Sequence, residues 1–571
     1  MNSTDQDQPK LDFTPILIGE WTFYPDLYQL FRDNEVVRLE PRTAQLLHFL
    51  AQSPGKPLSR ENLIELAWPG MIVGDEALTS AINKLRKALG DDSQEPKYIE
   101  TIPKKGYRLI AKTTVSNDKK DRKTDNQPVI NINHLSKTLW ITISLLILLL
   151  VLAPFFLSKL YEDNKEKDVP NLVEYKQDIP VIAVLPFDNL SQDETQEYFA
   201  DGITEDIITD LTRFGGIRVL ARNTTFRFRG QKVNYQQLVD NLNISHVVEG
   251  SVRKSGDQLR ISARLIYAAN GQNIWAERYD KTLKDVFSVQ DDVTRNIVNA
   301  LSVHLNDKDK QVFERPTTSN FEAYDLYLKG RQKLSERTSE SDQMAMEFYQ
   351  AAIKLDPSFA RAYGAIAVLL IRSANSGYTE NPKDIKDKAL FYAQKAVGLD
   401  DQSQNTLWAL SFTRLYRKEI NEAETAVSQA LNIAPNYADG LALLALIKNY
   451  LGEGQEAINL INRAKELNPG YSWDYLFNLG VGYYNLENYE KAIEQLSQAL
   501  ERNDNARPPR LFLAASYIGQ GLQEDAEWEI EQLLTQFPHY SITFLVNEAP
   551  FSNSVLLDRY ISQLRQAGLP E

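Results

Sequence analysis

The chain has 571 residues, with 63 Lys and Arg against 77 Asp and Glu, a net charge of −14, and no cysteine. That length implies three to five domains. The acidic balance excludes a protein that coats nucleic acid along its whole length, so any such contact must be a local basic patch. The missing cysteines exclude disulfides, thiolate zinc sites and cysteine nucleophiles.

Residues 1–15 read as a polar leader. From Ile16 to Leu39, short apolar-aromatic runs are broken by Gly19, Pro25 and Asp33-Asn34. This is the pattern of a small antiparallel sheet. Pro41 opens a helix whose apolar side is Ala44, Leu46, Leu47 and Leu50, and Pro54-Gly55 ends it. Ser59 is a good N-cap for a short second helix that runs to Ala67 and is broken by Trp68-Pro69-Gly70. A third helix is expected from Asp75 to Leu89, ended by Gly90. On it Leu78, Ile82, Leu85 and Leu89 form one apolar stripe. The opposite face carries Thr79, Ser80, Asn83, Lys84 and Lys87, with Arg86 at its margin. A helix with such a polar-basic outer face suits a major groove. Residues 97–102 and 105–110 then read as a hairpin with Pro103-Lys104 at its turn, a wing with a basic tip.

The run ALTSAINKLRKALGDD followed by YIETIPKKGYRLIA resembles the winged helix-turn-helix of OmpR/PhoB-type regulators. The variant it most resembles is that of ToxR/CadC-like membrane regulators, and the likeness covers about residues 16–112. The resemblance implies an α+β winged helix in residues 1–115 that binds double-stranded promoter DNA, with a homodimer on the site. It implies that Thr79, Ser80, Asn83 and Lys84 meet base edges. Arg86, Lys87, Lys104, Lys105 and Arg108 are then expected at phosphates, and Tyr107 at the base of the wing. The loop from Trp68 to Gly74 stands where this family meets RNA polymerase, although a plain core position is the alternative for Trp68. No receiver domain stands ahead of the winged helix in this sequence, so the input is expected from elsewhere in the chain.

Residues 116–137 read as a polar cytoplasmic tether. Thr138 to Ser158 are 21 residues without a charge, TLWITISLLILLLVLAPFFLS. Such a run matches the roughly 30 Å hydrocarbon core of a bilayer and predicts a transmembrane helix. Its flanking Lys and Arg residues differ little, so charge alone orients it weakly. The DNA-binding head supplies the direction: N-terminus in the cytoplasm, C-terminus in the periplasm, single-pass in a bacterial inner membrane. Residues 159–177 are a second charged linker.

Residues 178–306 read as a small α/β domain. It starts β-α-β, with Pro180 to Phe187, a helix from Phe199 to Phe214 and a strand at Ile217 to Leu220. A helix over 235–242, three strands joined by Ser255-Gly256-Asp257 and Asn270-Gly271, and a closing helix from Val286 complete it. VIAVLPFDNLS, YFADGITEDIITDL and VVEGSVRKSGDQLRISARL resemble the FlgO/TolB-N-like domain that stands beside tetratricopeptide (TPR) arrays. Asp201, Glu205 and Asp206 are a candidate divalent-ion cluster, the alternative being a solvated first turn stabilised by the helix dipole. Arg222, Arg227 and Arg229 are a candidate anion site.

Residues 320–571 repeat. Ala389, Ala423, Ala457, Ala492 and Ala526 recur at about the same spacing, and Ala396, Ala430, Ala464 and Ala499 follow seven residues behind. Small residues at fixed phase, with Leu479-Gly480 and Tyr483, are the signature of TPR units. About five to six units are expected, with an insertion around 373–384 and a concave surface for a protein or peptide partner. Tyr450, Tyr475, Tyr483 and Tyr484 either line that surface or belong to the core. The five histidines are scattered and no nucleophile elbow, phosphate loop or metal-ligand spacing occurs.

The expectation is therefore a multidomain chain: α+β winged helix, one transmembrane helix, small α/β domain and all-α TPR solenoid. It would act as a one-component membrane-bound transcription regulator, with no enzymatic activity, cofactor or metal. An envelope scaffold assembled on the TPR array is the alternative.

Overall fold

The computed structural model describes residues 15–25, 27–33, 35–39, 41–67, 75–92, 96–102, 105–115, 179–191, 193–231, 233–301, 318–336, 338–375 and 381–571. They form two compact units, divided between 115 and 179. The run 138–158 and the Trp68–Gly74 loop lie outside the described residues. Among the described residues no helix is long and apolar enough to cross a membrane.

The first unit opens with an antiparallel sheet of β1 (Ile16–Ile18), β2 (Trp21–Tyr24), β3 (Gln29–Arg32) and β4 (Glu35–Arg38). Alternation puts Ile16, Ile18, Trp21, Phe23 and Leu30 on its buried face. Three helices follow: α1 (Pro41–Gln52), α2 (Arg60–Ala67) and α3 (Asp75–Leu89). The bounds of α3 are those expected from sequence, and its stripe of Leu78, Ile82, Leu85 and Leu89 is buried. The wing is β5 (Ile99–Ile102) paired with β6 (Gly106–Leu109). A strand with no sequence signal, β7 (Thr113–Val115), closes the unit by pairing with β1, giving the order β4-β3-β2-β1-β7.

The second unit joins the α/β domain to the helical array. Its six-stranded sheet contains β8 (Val181–Val184), β9 (Asp188–Asn189), β10 (Arg218–Val219), β11 (His246–Ser255), β12 (Gln258–Tyr267) and β13 (Gln272–Thr282). The order is β10-β8-β11-β12-β13, with β9 beside β11. The domain's helices are α4 (Glu197–Leu211), a short α5 (Arg222–Thr225), α6 (Tyr235–Leu242) and α7 (Val286–Ala300). Helices α4 and α7 share a core with one sheet face, and Leu238 of α6 packs with residues of the other.

Six antiparallel helix pairs follow: α8 (Phe321–Ser335) with α9 (Ser339–Leu355), α10 (Ala360–Ala374) with α11 (Pro382–Leu399), and α12 (Gln404–Tyr416) with α13 (Ile420–Ile433). Then come α14 (Ala438–Leu451) with α15 (Gly454–Leu467), α16 (Trp473–Asn485) with α17 (Tyr489–Arg502), and α18 (Arg507–Gly519) with α19 (Gln523–Gln536). Two further helices, α20 (Ile542–Glu548) and α21 (Ser554–Gln566), end the described chain. Every alanine of the two periodic series is fully buried on the second helix of its pair. Of the four tyrosines left open from sequence, Tyr450, Tyr475 and Tyr484 are core residues.

The α/β domain rests on the loops between successive pairs. Gln404 Nε2 donates to the Thr209 carbonyl at 3.1 Å. The buried Asn436 amide donates to the carbonyls of Phe214 (3.0 Å) and Ile217 (2.6 Å). The Ala221 amide donates to the Leu467 carbonyl at 2.7 Å, and Thr224 Oγ1 donates to Asn468 at 2.9 Å.

Gly106 tests the wing's seating. Its φ of +132° and its place against Leu58, where a Cβ would stand 2.0 Å from the carbonyl oxygen, leave no room for a side chain. Gly106→Ala is expected to destabilise the first unit by about 2–3 kcal/mol, read from the midpoint of denaturant unfolding.

Candidate nucleic-acid interface

The outward ridge of α3 carries Thr79, Asn83 and Lys87 one helical turn apart, with Asn83 and Lys87 exposed and Lys84 half-buried beside them. Ser80 sits on the same helix. Three sets of hydrogen bonds hold this helix. Trp21 Nε1 donates to the Leu89 carbonyl at 3.2 Å, tying the helix end to the sheet. The Asp91 carboxylate accepts from the backbone amides of Lys97 (2.6 Å), Tyr98 (3.1 Å) and Ile99 (2.8 Å), tying the following turn to the wing.

The third set involves Arg86, which the sequence led us to expect at a phosphate. Arg86 is only 8% exposed, and its guanidinium donates to the Ile99 carbonyl at 3.0 Å and to Thr101 Oγ1 at 2.8 Å. It is a brace between α3 and the wing, withdrawn from the surface where a phosphate would lie. Tyr107 is buried at the wing base as expected, beneath the Arg60 guanidinium. Lys105 stands exposed at the start of β6, and Lys104 lies outside the described residues. Arg108 is half-buried and ion-paired across the hairpin with Glu100, at 2.8 Å from Nε. The structure thus brings together α3's outer ridge and the basic wing on one rigid frame.

The sequence families agree. Residues 34–109 match the model described as Transcriptional regulatory protein, C terminal. Residues 177–298 match HilA/YgeH-like transcriptional regulator, second domain, where the sequence pattern resembled a FlgO/TolB-N-like domain. Residues 473–506 match Tetratricopeptide repeat. Transcriptional activator CadC of Escherichia coli (strain K12) is 23% identical over 514 residues, 82% of this chain and 95% of that protein. The Cholera toxin transcriptional activator of Vibrio cholerae serotype O1 is 36% identical over 115 residues, 19% of this chain and 39% of that protein. The chain is homologous to regulators of the CadC/HilA/ToxR type. A third similar protein, Putative adenylate cyclase 3 of Rhizobium meliloti (strain 1021), is 38% identical over 247 residues. This chain spans 42% of that protein's length.

The two charged clusters singled out in the α/β domain are complementary to each other. Arg229 pairs with Glu197 and Asp201. Arg222 pairs with Glu205 at 3.2 Å, and Arg331 of α8 pairs with the same carboxylate. Arg227 donates to the Gly470 carbonyl at 3.1 Å. Neither an open set of carboxylates nor an open set of guanidinia is left at this place, and no His, Asp or Glu group suited to a metal occurs among the described residues. The solvated-turn alternative fails as well for Asp206, which is buried. Its carboxylate accepts from Arg361 of α10 (2.8 Å), Tyr324 of α8 (2.5 Å) and Gln290 of α7 (3.2 Å). Burial and this carboxylate push the Tyr324 hydroxyl well above its ordinary range.

Asp206→Ala would leave Arg361 buried without its partner. A loss of about 3–5 kcal/mol in the second unit is expected, read by thermal unfolding. Asp210 and Asp291 line the same junction. Burial, together with repulsion from Asp206, pushes Asp210 up to about 7, and burial pushes Asp291 up to about 6. An acid raised on folding holds its proton more tightly in the folded state. Its stabilisation is therefore complete below the ordinary value of 3.8 and is lost as pH rises through the folded value. The melting temperature is expected to gain from these groups between about pH 7.5 and about pH 5, and Asp210→Asn to diminish that gain.

Proposed function

We propose that this chain is a one-component, membrane-integrated transcription regulator that grips promoter DNA through α3 and the wing. The observation that carries this reading is the rigid joining of a polar-basic recognition ridge to a basic hairpin. Thr79, Ser80, Asn83 and Lys84 face base edges, while Lys87, Lys104 and Lys105 meet phosphates. Arg108 reaches phosphate on exchanging its Glu100 partner, and Arg86 and Tyr107 hold the geometry. Two copies bind as a homodimer, and the Trp68–Gly74 loop is the surface offered to RNA polymerase.

The charge-free run 138–158 supports the membrane reading. It separates the DNA-binding head from the α/β and TPR regions, which take a signal or protein partner in the periplasm. One helix per chain conveys association or rotation, so coupling runs through the dimer. Similarity to CadC over 95% of that protein's length supports the same layout.

Fluorescence anisotropy on promoter fragments, titrated with salt, tests the DNA reading. Lys87→Ala is expected to weaken binding evenly across sequences and reduce the salt slope by about 1. Arg86→Ala is expected to lower the stability of the head and leave that slope unchanged. Binding that ignores salt and both substitutions would favour an envelope scaffold instead.

A further inference from the structure

The first helices of successive pairs touch one another, from α10 through α12, α14 and α16 to α18, and the second helices hardly do. The array therefore curves with its first helices on the concave side. The end of the chain lies on that side. Helix α21 packs on α18, with Tyr560 stacked on Phe512 at 4.3 Å. It reaches back to α16, where Arg559 donates to the Tyr484 carbonyl at 3.1 Å and Tyr484 donates to Gln563 at 2.5 Å.

Between α20 and α21, residues 549–553 have no regular structure, and Ala549 and Asn553 have extended backbone. This stretch crosses to α14. The Ser552 amide donates to the Tyr450 carbonyl at 3.5 Å, and Asn553 Nδ2 donates to the Leu451 carbonyl at 3.3 Å. The Phe551 ring sits among Tyr450 (5.1 Å), Tyr560 (5.5 Å) and Phe512 (6.3 Å). On the far side, Lys418 Nζ donates to the Val546 carbonyl at 2.7 Å.

The two ends of this crossing are anchored differently from its middle. Ile542 and Leu545 before it, and Tyr560 and Leu564 after it, are buried core residues. Within 546–553, Pro550 is buried, Phe551 is the aromatic anchor and is only half-buried, and Val546 is exposed. An irregular segment whose own backbone supplies one donor and one acceptor to the groove, with one ring in an aromatic cleft, is the geometry an extended peptide adopts in a groove.

We propose that residues 546–553 are a strap over the concave groove, and that Phe551 occupies a cleft which an extended peptide with an aromatic side chain takes when the strap lifts. The partner is thus a protein presenting such a segment, and its apparent affinity is set by the fraction of time the strap is open. This deepens the reading of the array as the regulator's partner-binding part.

The test uses the full chain and a fluorescent synthetic peptide with the sequence of residues 547–555. Phe551→Ala is expected to bind the probe about tenfold or more tightly than the unchanged chain. A lock is available as well. A Cβ at Gly452 would stand 3.7 Å from the Asn553 Cβ, a disulfide distance; the strain of a side chain at its φ of +86° is common to both redox forms, and the chain has no other cysteine. In Gly452→Cys with Asn553→Cys, the oxidised form is expected to bind the probe at least about tenfold more weakly than the same protein reduced. Equal binding in both redox states, equal binding of a probe with its Phe replaced by Ala, or no binding to any of the proteins overturns the proposal. Should Phe551→Ala fail to fold, the lock decides alone. Promoter binding by the same samples reports separately on the regulatory reading.

Discussion

The joint between the α/β domain and the helical array depends on the buried ion pair of Asp206 and Arg361. Asp206 and Arg361 are both nearly sealed from water, at side-chain exposures of 8% and 7%. Charges taken out of water are tolerated only when they are paired and hydrogen-bonded. Here the match requires four helices at once: α4 and α7 of the α/β domain, and α8 and α10 of the array. A shift of any one leaves a charge or a hydroxyl unsatisfied. The α/β domain and the first helix pairs therefore share one core, which also contains Phe199, Val293, Tyr349 and Ile366. They are one physical body.

Periodic features were legible in the sequence, and partnerships between distant residues were not. The apolar stripe of α3 and the two alanine series predicted their elements because each repeats at the period of its structure. Strand β7 escaped because Thr113–Val115 is three residues long and is completed by β1, nearly a hundred residues earlier. The bracing role of Arg86 was hidden because its position on the margin of a helix does not say which way a long side chain folds. The deciding acceptors, Ile99 and Thr101, belong to the wing. The acidic and basic clusters of the α/β domain looked like two ligand sites for the same reason. Asp201 and Arg229 are 28 residues apart, and Glu205 and Arg331 are 126 apart, so their neutralisation exists only in the folded chain. In the same way the repeat signature revealed a groove, and nothing in it revealed that the chain's own end crosses that groove.

The first unit follows a different logic. Its surface chemistry is sparse, a few amides, hydroxyls and amines, and such groups discriminate only when held in place. Trp21, Arg86 and Asp91 spend their hydrogen bonds on holding α3 against the sheet and the wing. The ordering needed for recognition is thus completed during folding, which leaves less to be lost on binding.

Gln404, at the start of α12, and Asn436 and Asn468, in the next two inter-repeat loops, mark three consecutive joints, and all three reach the same small domain. Repeat arrays bend because each unit touches only its neighbours, so small rotations at the joints add up along the stack. Here three successive joints are fastened to one sheet-backed body. That stretch of the solenoid has the compliance of a splinted spring.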